Sequence, residues 1–117
     1  MKKNSSTLAI LSLLTVISFG QSAIDYYNQG VSNEKAGALA DALTNYTKAI
    51  ELKPDYAAAY YNRGVAKHHK GDSNGAMADY NKAISLWQIE VRLNPSQKPQ
   101  LQVWIEKAED AKSHITK

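Results

Sequence analysis

The apolar residues of this chain fall into two regimes. From Thr7 to Phe19 (TLAILSLLTVISF) they run together, interrupted by hydroxyls but by no charge. From Ala23 onward they alternate with polar residues, and the spacing is that of helices. Tyr80, Ala83, Ile84, Trp87 and Val91 share one face, as do Leu101, Trp104, Ile105, Ala108, Ala111 and Ile115. Gln102, Glu106, Lys107, Glu109 and Asp110 take the opposite side of that last stripe. Turn and breaker residues separate the helical stretches at Asn33 to Gly37, at Pro54-Asp55, at Gly71 to Gly75 and at Pro95 to Pro99. The pattern predicts an all-α chain of about five helices, with neighbours antiparallel because their connections are short.

Sliding the chain against itself exposes a period of 34. Ala23 to Leu52 overlays Ala57 to Leu86 without a gap, and 13 of the 30 aligned positions are identical, among them Tyr26/Tyr60, Tyr27/Tyr61, Asn28/Asn62, Gly30/Gly64, Val31/Val65, Ala42/Ala76, Tyr46/Tyr80 and Ala49/Ala83. A fixed period of this length signals a stacked array of helix pairs. In the first copy Tyr26, Gly30, Ala42, Tyr46, Ala49 and Pro54 fall in a set order, and in the second Tyr60, Gly64, Ala76, Tyr80 and Ala83 repeat it. At these residues the chain resembles the tetratricopeptide repeat. Gln88 stands where the second closing proline belongs, and Gln29, Arg63, Asn33 and Lys67 make the first helix of each pair more polar than the family pattern.

The resemblance implies a short right-handed α-α superhelix. It places Gly30 where a side chain would hold helices apart, Ala42 and Ala49 at close packing surfaces, and Tyr46 beside them. From Ala83 to Asn94 no breaker appears, and Leu93-Asn-Pro95 follows much as Leu52-Lys-Pro54 does, so the second copy carries seven extra residues. A heptad is close to two helical turns and lengthens a helix while nearly keeping its buried face. The expected organisation is a signal peptide at 1–22, a first repeat at 23–56, a second, lengthened repeat at 57–94 and a capping helix at 95–117, which covers the open apolar end of the array.

Composition refines this picture at the N-terminus. Met1-Lys2-Lys3 ahead of an uncharged apolar run, followed by small residues at Ser18, Gly20 and Ser22, matches a cleavable signal peptide, with processing after Gly20 or Ser22. The run is shorter than the roughly 20 residues that a helix needs to span a bilayer. Export to the periplasm or beyond is expected, with no membrane span after cleavage. Without Lys2 and Lys3, 12 of the 14 basic side chains face 11 acidic ones, a net of +1. Nucleic-acid binding loses its electrostatic basis. The absence of cysteine removes both a disulfide framework and a lipid-modified cysteine.

Candidate chemistry is sparse. No phosphate-binding glycine loop, nucleophile elbow or paired-histidine zinc motif occurs. His68 and His69 are adjacent, point about 100° apart on a helix, and chelate one ion poorly. Glu109 and Asp110 are neighbours on the solvent side of the cap. Asn45-Tyr46-Thr47 matches a glycosylation sequon by letters, yet it lies mid-helix. Neither a metal nor a cofactor is expected, nor is catalysis. What remains is a surface. In the resembled family the first helices of successive repeats line a concave groove, and by alignment Tyr27, Val31, Glu34, Lys35, Tyr61, Val65, His68 and His69 fall there. Some members grip acidic carboxylate ends with a lysine and asparagine clamp; Asn28 and Asn62 match part of it, but Tyr27 and Val31 replace other members of the clamp. The expected function is non-catalytic: an exported module holding a peptide or partner protein in that groove. The alternative is self-association into a homodimer through the long helix and the two tryptophans, Trp87 and Trp104.

Overall fold

A computed structural model describes residues 21–115, and the expected signal segment, apart from Gln21 and Ser22, lies outside the described residues. Five α-helices follow in order: α1 (Ala23–Lys35), α2 (Leu39–Leu52), α3 (Ala57–His69), α4 (Ser73–Leu93) and α5 (Lys98–Ile115), with a single 3-10 turn (Pro95–Gln97) before α5. No strand occurs among the described residues. Each helix packs on the next in the chain.

The helix ends show how the sequence sets these boundaries. Ser22 caps α1 reciprocally: its Oγ accepts from the Asp25 amide at 3.2 Å, while Asp25 Oδ2 accepts from the Ser22 amide at 3.0 Å. Asp72 caps α4 by accepting from the Gly75 amide at 2.9 Å. Both α1 and α3 end at a left-handed glycine, Gly37 with φ of 76° and Gly71 with φ of 89°. There the amides of Gly37 and Ala38 donate to the carbonyls of Glu34 and Asn33, and those of Gly71 and Asp72 to His68 and Lys67. This pairing closes the last turn and needs a residue tolerant of positive φ. α3 begins at Ala57, two residues after Asp55, behind Tyr56 with no side-chain cap.

Within each pair, a tyrosine ring approaches the glycine most closely, and in the second pair the Ala76 carbonyl lies close as well. A β-carbon on Gly30 would meet the Tyr46 ring at 2.5 Å, and one on Gly64 would meet the Tyr80 ring at 2.9 Å. Both rings are fully enclosed, flanked by Ala42 and Ala49 or by Ala76 and Ala83, which have no exposed surface. Small residues let the helices close, and the tyrosine ring fills what they leave.

Polar residues inside the second pair form a network with a counterpart one repeat earlier. Asp79, 4% exposed, accepts from Arg63 Nε and Nη2, each at 2.8 Å, and pairs with Lys67 Nζ at 3.0 Å. Arg63 also reaches back to Thr47 of the first repeat at 3.3 Å. Its bidentate bond to Asp79 raises the guanidinium pKa above its ordinary value despite burial. Shifted by the repeat period, Arg63, Lys67 and Asp79 become Gln29, Asn33 and Asn45. There Asn45 Nδ2 donates to Asn33 Oδ1 at 2.7 Å. The polar first helices are thus matched to their own second helices, neutral in one repeat and charged in the other.

The outer face of α1 is unlike that of α3. Ala59, fully buried against Ala49 and Ile50 of α2, corresponds to exposed Asp25; fully buried Ala66 corresponds to exposed Ser32.

α4 has 21 residues against 14 in α2. The surplus begins at Trp87, which aligns with Lys53 just beyond α2. Trp87 is buried, and α5 packs over it through Ile105 and Ala108, with Leu101, Val91, Ala111 and Ile115 half-buried around them. One member of the expected stripe departs from it: Trp104 is 44% exposed. It lies at the rim of the packed face, its ring stacked at 6.3 Å on Trp87 and edge-on at 6.4 Å to Tyr61.

Candidate functional site

Beside its seat on α4, α5 lines a half-open pocket of about 430 Å³ together with α1 and α3. Tyr27 and Val31 come from α1, Ala58, Tyr61 and Asn62 from α3, Trp87 from α4, and Leu101, Trp104 and Lys107 from α5. The pocket thus draws on both repeats, the added heptad and the cap. Four of its nine lining residues are aromatic and three more are aliphatic, the material from which peptide and ligand pockets are usually built.

Neighbours hold the aromatic walls in place. The Tyr27 hydroxyl accepts from Asn62 Nδ2 at 3.0 Å, joining the two repeats. Its ring stacks on Tyr56 at 5.1 Å and leans on Tyr46 at 5.9 Å. Asn62 is therefore committed to Tyr27, which adds a second departure from the clamp pattern. Tyr61 is buried, with Tyr80 at 5.6 Å and Trp87 at 6.0 Å. Burial is the largest cause raising the Tyr61 phenol pKa, and the Glu34 and Asp110 carboxylates add to it. Burial likewise raises that of Tyr27, against the opposing bond from Asn62. Tyr80 is pushed up to about 12, again first by burial. Tyr46 is raised further still, by burial and then by its 2.6 Å hydrogen bond to Glu34. All these phenols stay neutral at ordinary pH. The ammonium of Lys107 is then the one charge in the lining, held 4.9 Å from the Trp104 ring centre and 6.0 Å from that of Tyr61.

The groove residues expected from alignment divide between pocket and periphery. Tyr27, Val31 and Tyr61 line the pocket. Glu34 serves as acceptor for Tyr46 and Lys35 is exposed at the end of α1. Val65 packs against the core, while His68 is half-buried and His69 exposed at the end of α3, their ring centres 6.4 Å apart. These five lie outside the pocket lining. Alignment failed to bring in Trp87, Leu101, Trp104 and Lys107, because they lie beyond the repeat and have no counterpart within it. The stripe on α5 signalled Leu101 and Trp104, and the long face of α4 signalled Trp87; Lys107, expected on the opposite side of the α5 stripe, instead lies over the Trp104 ring in the lining. Among the described residues, no group of three or more His, Cys, Asp or Glu is placed to hold a metal ion. No described helix is long and apolar enough to cross a membrane.

Two family models match the chain. One, described as TPR repeat, covers residues 35–71, and the other, described as Tetratricopeptide repeat, covers residues 57–86. No curated protein matches it. The second match ends at Leu86, one residue before the surplus turns of α4 begin.

Proposed function

From the premise that this is a tetratricopeptide-repeat protein, and so a protein-protein interaction module, we propose that it holds a peptide or partner protein in the pocket between its repeats and its cap. The observation that carries this reading is the convergence of Tyr27, Val31, Tyr61, Trp87 and Trp104 on one half-open aromatic pocket. Repeats of this kind are generally non-catalytic, and the reading assigns the protein no reaction. Its place of action is outside the cytoplasm, an inference from Met1-Lys2-Lys3 and the apolar run Thr7 to Phe19. The capping box supports processing after Gly20, because a cut after Ser22 would remove the cap of α1.

A photo-crosslinking side chain at Val31 tests the binding claim, with the same group at exposed Asp41 of α2 as control. Adducts from cell-envelope extracts are expected at Val31 and not at Asp41. Equal labelling at both sites would refute binding in the pocket. The mass of the protein purified from its own cells checks the export claim, which requires a chain beginning at Gln21 or at Ala23.

Self-association is the second reading. Burial of Trp87 removes one of the two tryptophans first expected to support it, and the exposed side chains of Ile89, Leu93 and Val103 are what favour it now. Sedimentation equilibrium at high concentration decides: a monomer throughout ends this reading.

A further inference from the structure

We propose that Lys107 of the cap, rather than any residue of the repeats, selects the occupant of the pocket, and that the occupant is a peptide segment with a bulky apolar side chain flanked by a carboxylate. This inference rests on the reading of the pocket as a peptide site and names the chemistry of what enters it.

Asn62 Nδ2 donates to the Tyr27 hydroxyl, and the rings of Tyr27 and Tyr61 line the wall beside that bond. An apolar side chain entering between Tyr27, Tyr61 and Trp104 covers those rings and releases their water. The charge beside it is Lys107, whose contacts are the faces of Trp104 and Tyr61. No carboxylate pairs with Lys107 among the described residues. Of the nearby acids, Glu34 accepts from Tyr46 and keeps its charge, Glu109 pairs with Lys112 at 3.5 Å, and Asp110, 75% exposed, lies 3.8 Å from His114, a pair that is ionic only when the imidazole is protonated. A cationic segment would meet Lys107 as a like charge, and a wholly apolar one would crowd an ammonium without pairing it. An acid next to the apolar anchor answers both demands. The ammonium is already held over two rings, so less of its freedom is lost when it pairs.

The site also explains what the added heptad does. Trp87, first of the surplus residues of α4, is the floor on which Trp104 stacks, and Trp104 in turn supports Lys107. Without those turns, the ring on which Trp104 stacks would be missing. Selection is thus located outside the repeat sequence, in the segment beyond residue 86.

The test uses the whole mature protein and three short, terminally blocked peptides: acetyl-Asp-Leu-Phe-Leu-Asp-amide, its Asn counterpart and its Lys counterpart. Binding is followed at low salt by tryptophan emission and by amide shifts of α5. The acidic peptide should bind about fivefold more tightly than the Asn form, a margin that shrinks as salt rises. Lys107→Gln, at an exposed position, should keep the helical circular dichroism and bring the acidic and Asn peptides to equal affinity. Lys107→Glu should turn the preference toward the Lys peptide. If the Asn peptide binds the native protein as tightly as the acidic one, or if Lys107→Gln leaves their ratio unchanged, the inference about Lys107 is overturned while the pocket remains a peptide site. If no peptide perturbs α5, yet adducts form at Val31, the inference again falls and the broader reading stands. No peptide binding together with no selective adduct overturns both.

Discussion

Replacing Asp79 with asparagine tests how the interior of the second repeat is specified. The carboxylate is 5% exposed and holds two cations, Arg63 through two bonds of 2.8 Å and Lys67 at 3.0 Å. The substitution keeps the shape, removes the charge, and turns an NH2 group toward a guanidinium that can only donate. Breaking a buried pair by removing one partner costs about 3–5 kcal/mol, since the remaining charge has lost its compensation. Arg63 and Lys67 retain 17% and 24% exposure and so keep some water, which places the expected loss near the lower end, about 3 kcal/mol. The first repeat supplies the remedy. Asp79→Asn combined with Lys67→Asn and Arg63→Gln transplants the neutral set Asn45, Asn33 and Gln29, in which Asn45 donates to Asn33 at 2.7 Å. That triple variant should recover to within about 1 kcal/mol of the parent, the residue of the loss being the Arg63–Thr47 bond of 3.3 Å between repeats. Urea unfolding followed by circular dichroism reads all the variants on one scale. If the triple variant is as unstable as Asp79→Asn alone, the two polar clusters are not interchangeable and the repeat-to-repeat argument fails.

Three further outcomes follow from the packing. Gly30→Ala gains about 1 kcal/mol of helix propensity but drives a methyl to 2.5 Å from the enclosed Tyr46 ring; overpacking of this kind costs about 1–3 kcal/mol, so a net loss in thermal stability is expected, and a gain would contradict the geometry. Ser22→Ala should cost about 1 kcal/mol through the lost capping box, and a chain beginning at Ala23 should match it in denaturant midpoint while one beginning at Gln21 should not. Burial raises the phenols of Tyr27, Tyr46, Tyr61 and Tyr80 above the ordinary value of 10.0, with Tyr80 near 12. Each stabilises the fold below pH 10, where both states are protonated, and that contribution is lost as pH climbs through the folded value. Stability measured across pH should therefore hold to about pH 9 and fall from pH 10 upward; a flat curve to pH 12 would refute the burial of these rings.

The repeat was legible because its determinants are local and duplicated. Gly30 and Gly64, Ala42 and Ala76, and Tyr46 and Tyr80 recur in register, and the structure puts each tyrosine ring on its glycine. Gly37 and Gly71 likewise mark turns that a side chain would strain. Half of the site was not legible in this way. Tyr27, Val31 and Tyr61 could be placed by alignment, but Leu101, Trp104 and Lys107 meet them only through the angle at which α5 crosses, and no repeated neighbour fixes that angle. The stripe on α5 indicated an apolar face; it did not separate buried Ile105 from Trp104, one residue earlier, at the rim. Nor did it show that Arg63 and Lys67, which looked like departures from a pattern, converge on one acid. That convergence depends on Asp79, a charged residue within an otherwise apolar stretch between Ala76 and Tyr80, whose partners lie on another helix.

The unlike outer faces of α1 and α3 bear on how such an array can be lengthened. A further helix pair fused ahead of α1 would lay its second helix against Asp25 and Ser32, where the internal joint has Ala59 and Ala66. The carboxylate would be enclosed without a cation, and the helices would be held apart. A designer adding modules to this scaffold should therefore open it between α2 and α3, or first substitute Asp25→Ala and Ser32→Ala; duplication at the internal seam copies a joint that already fits.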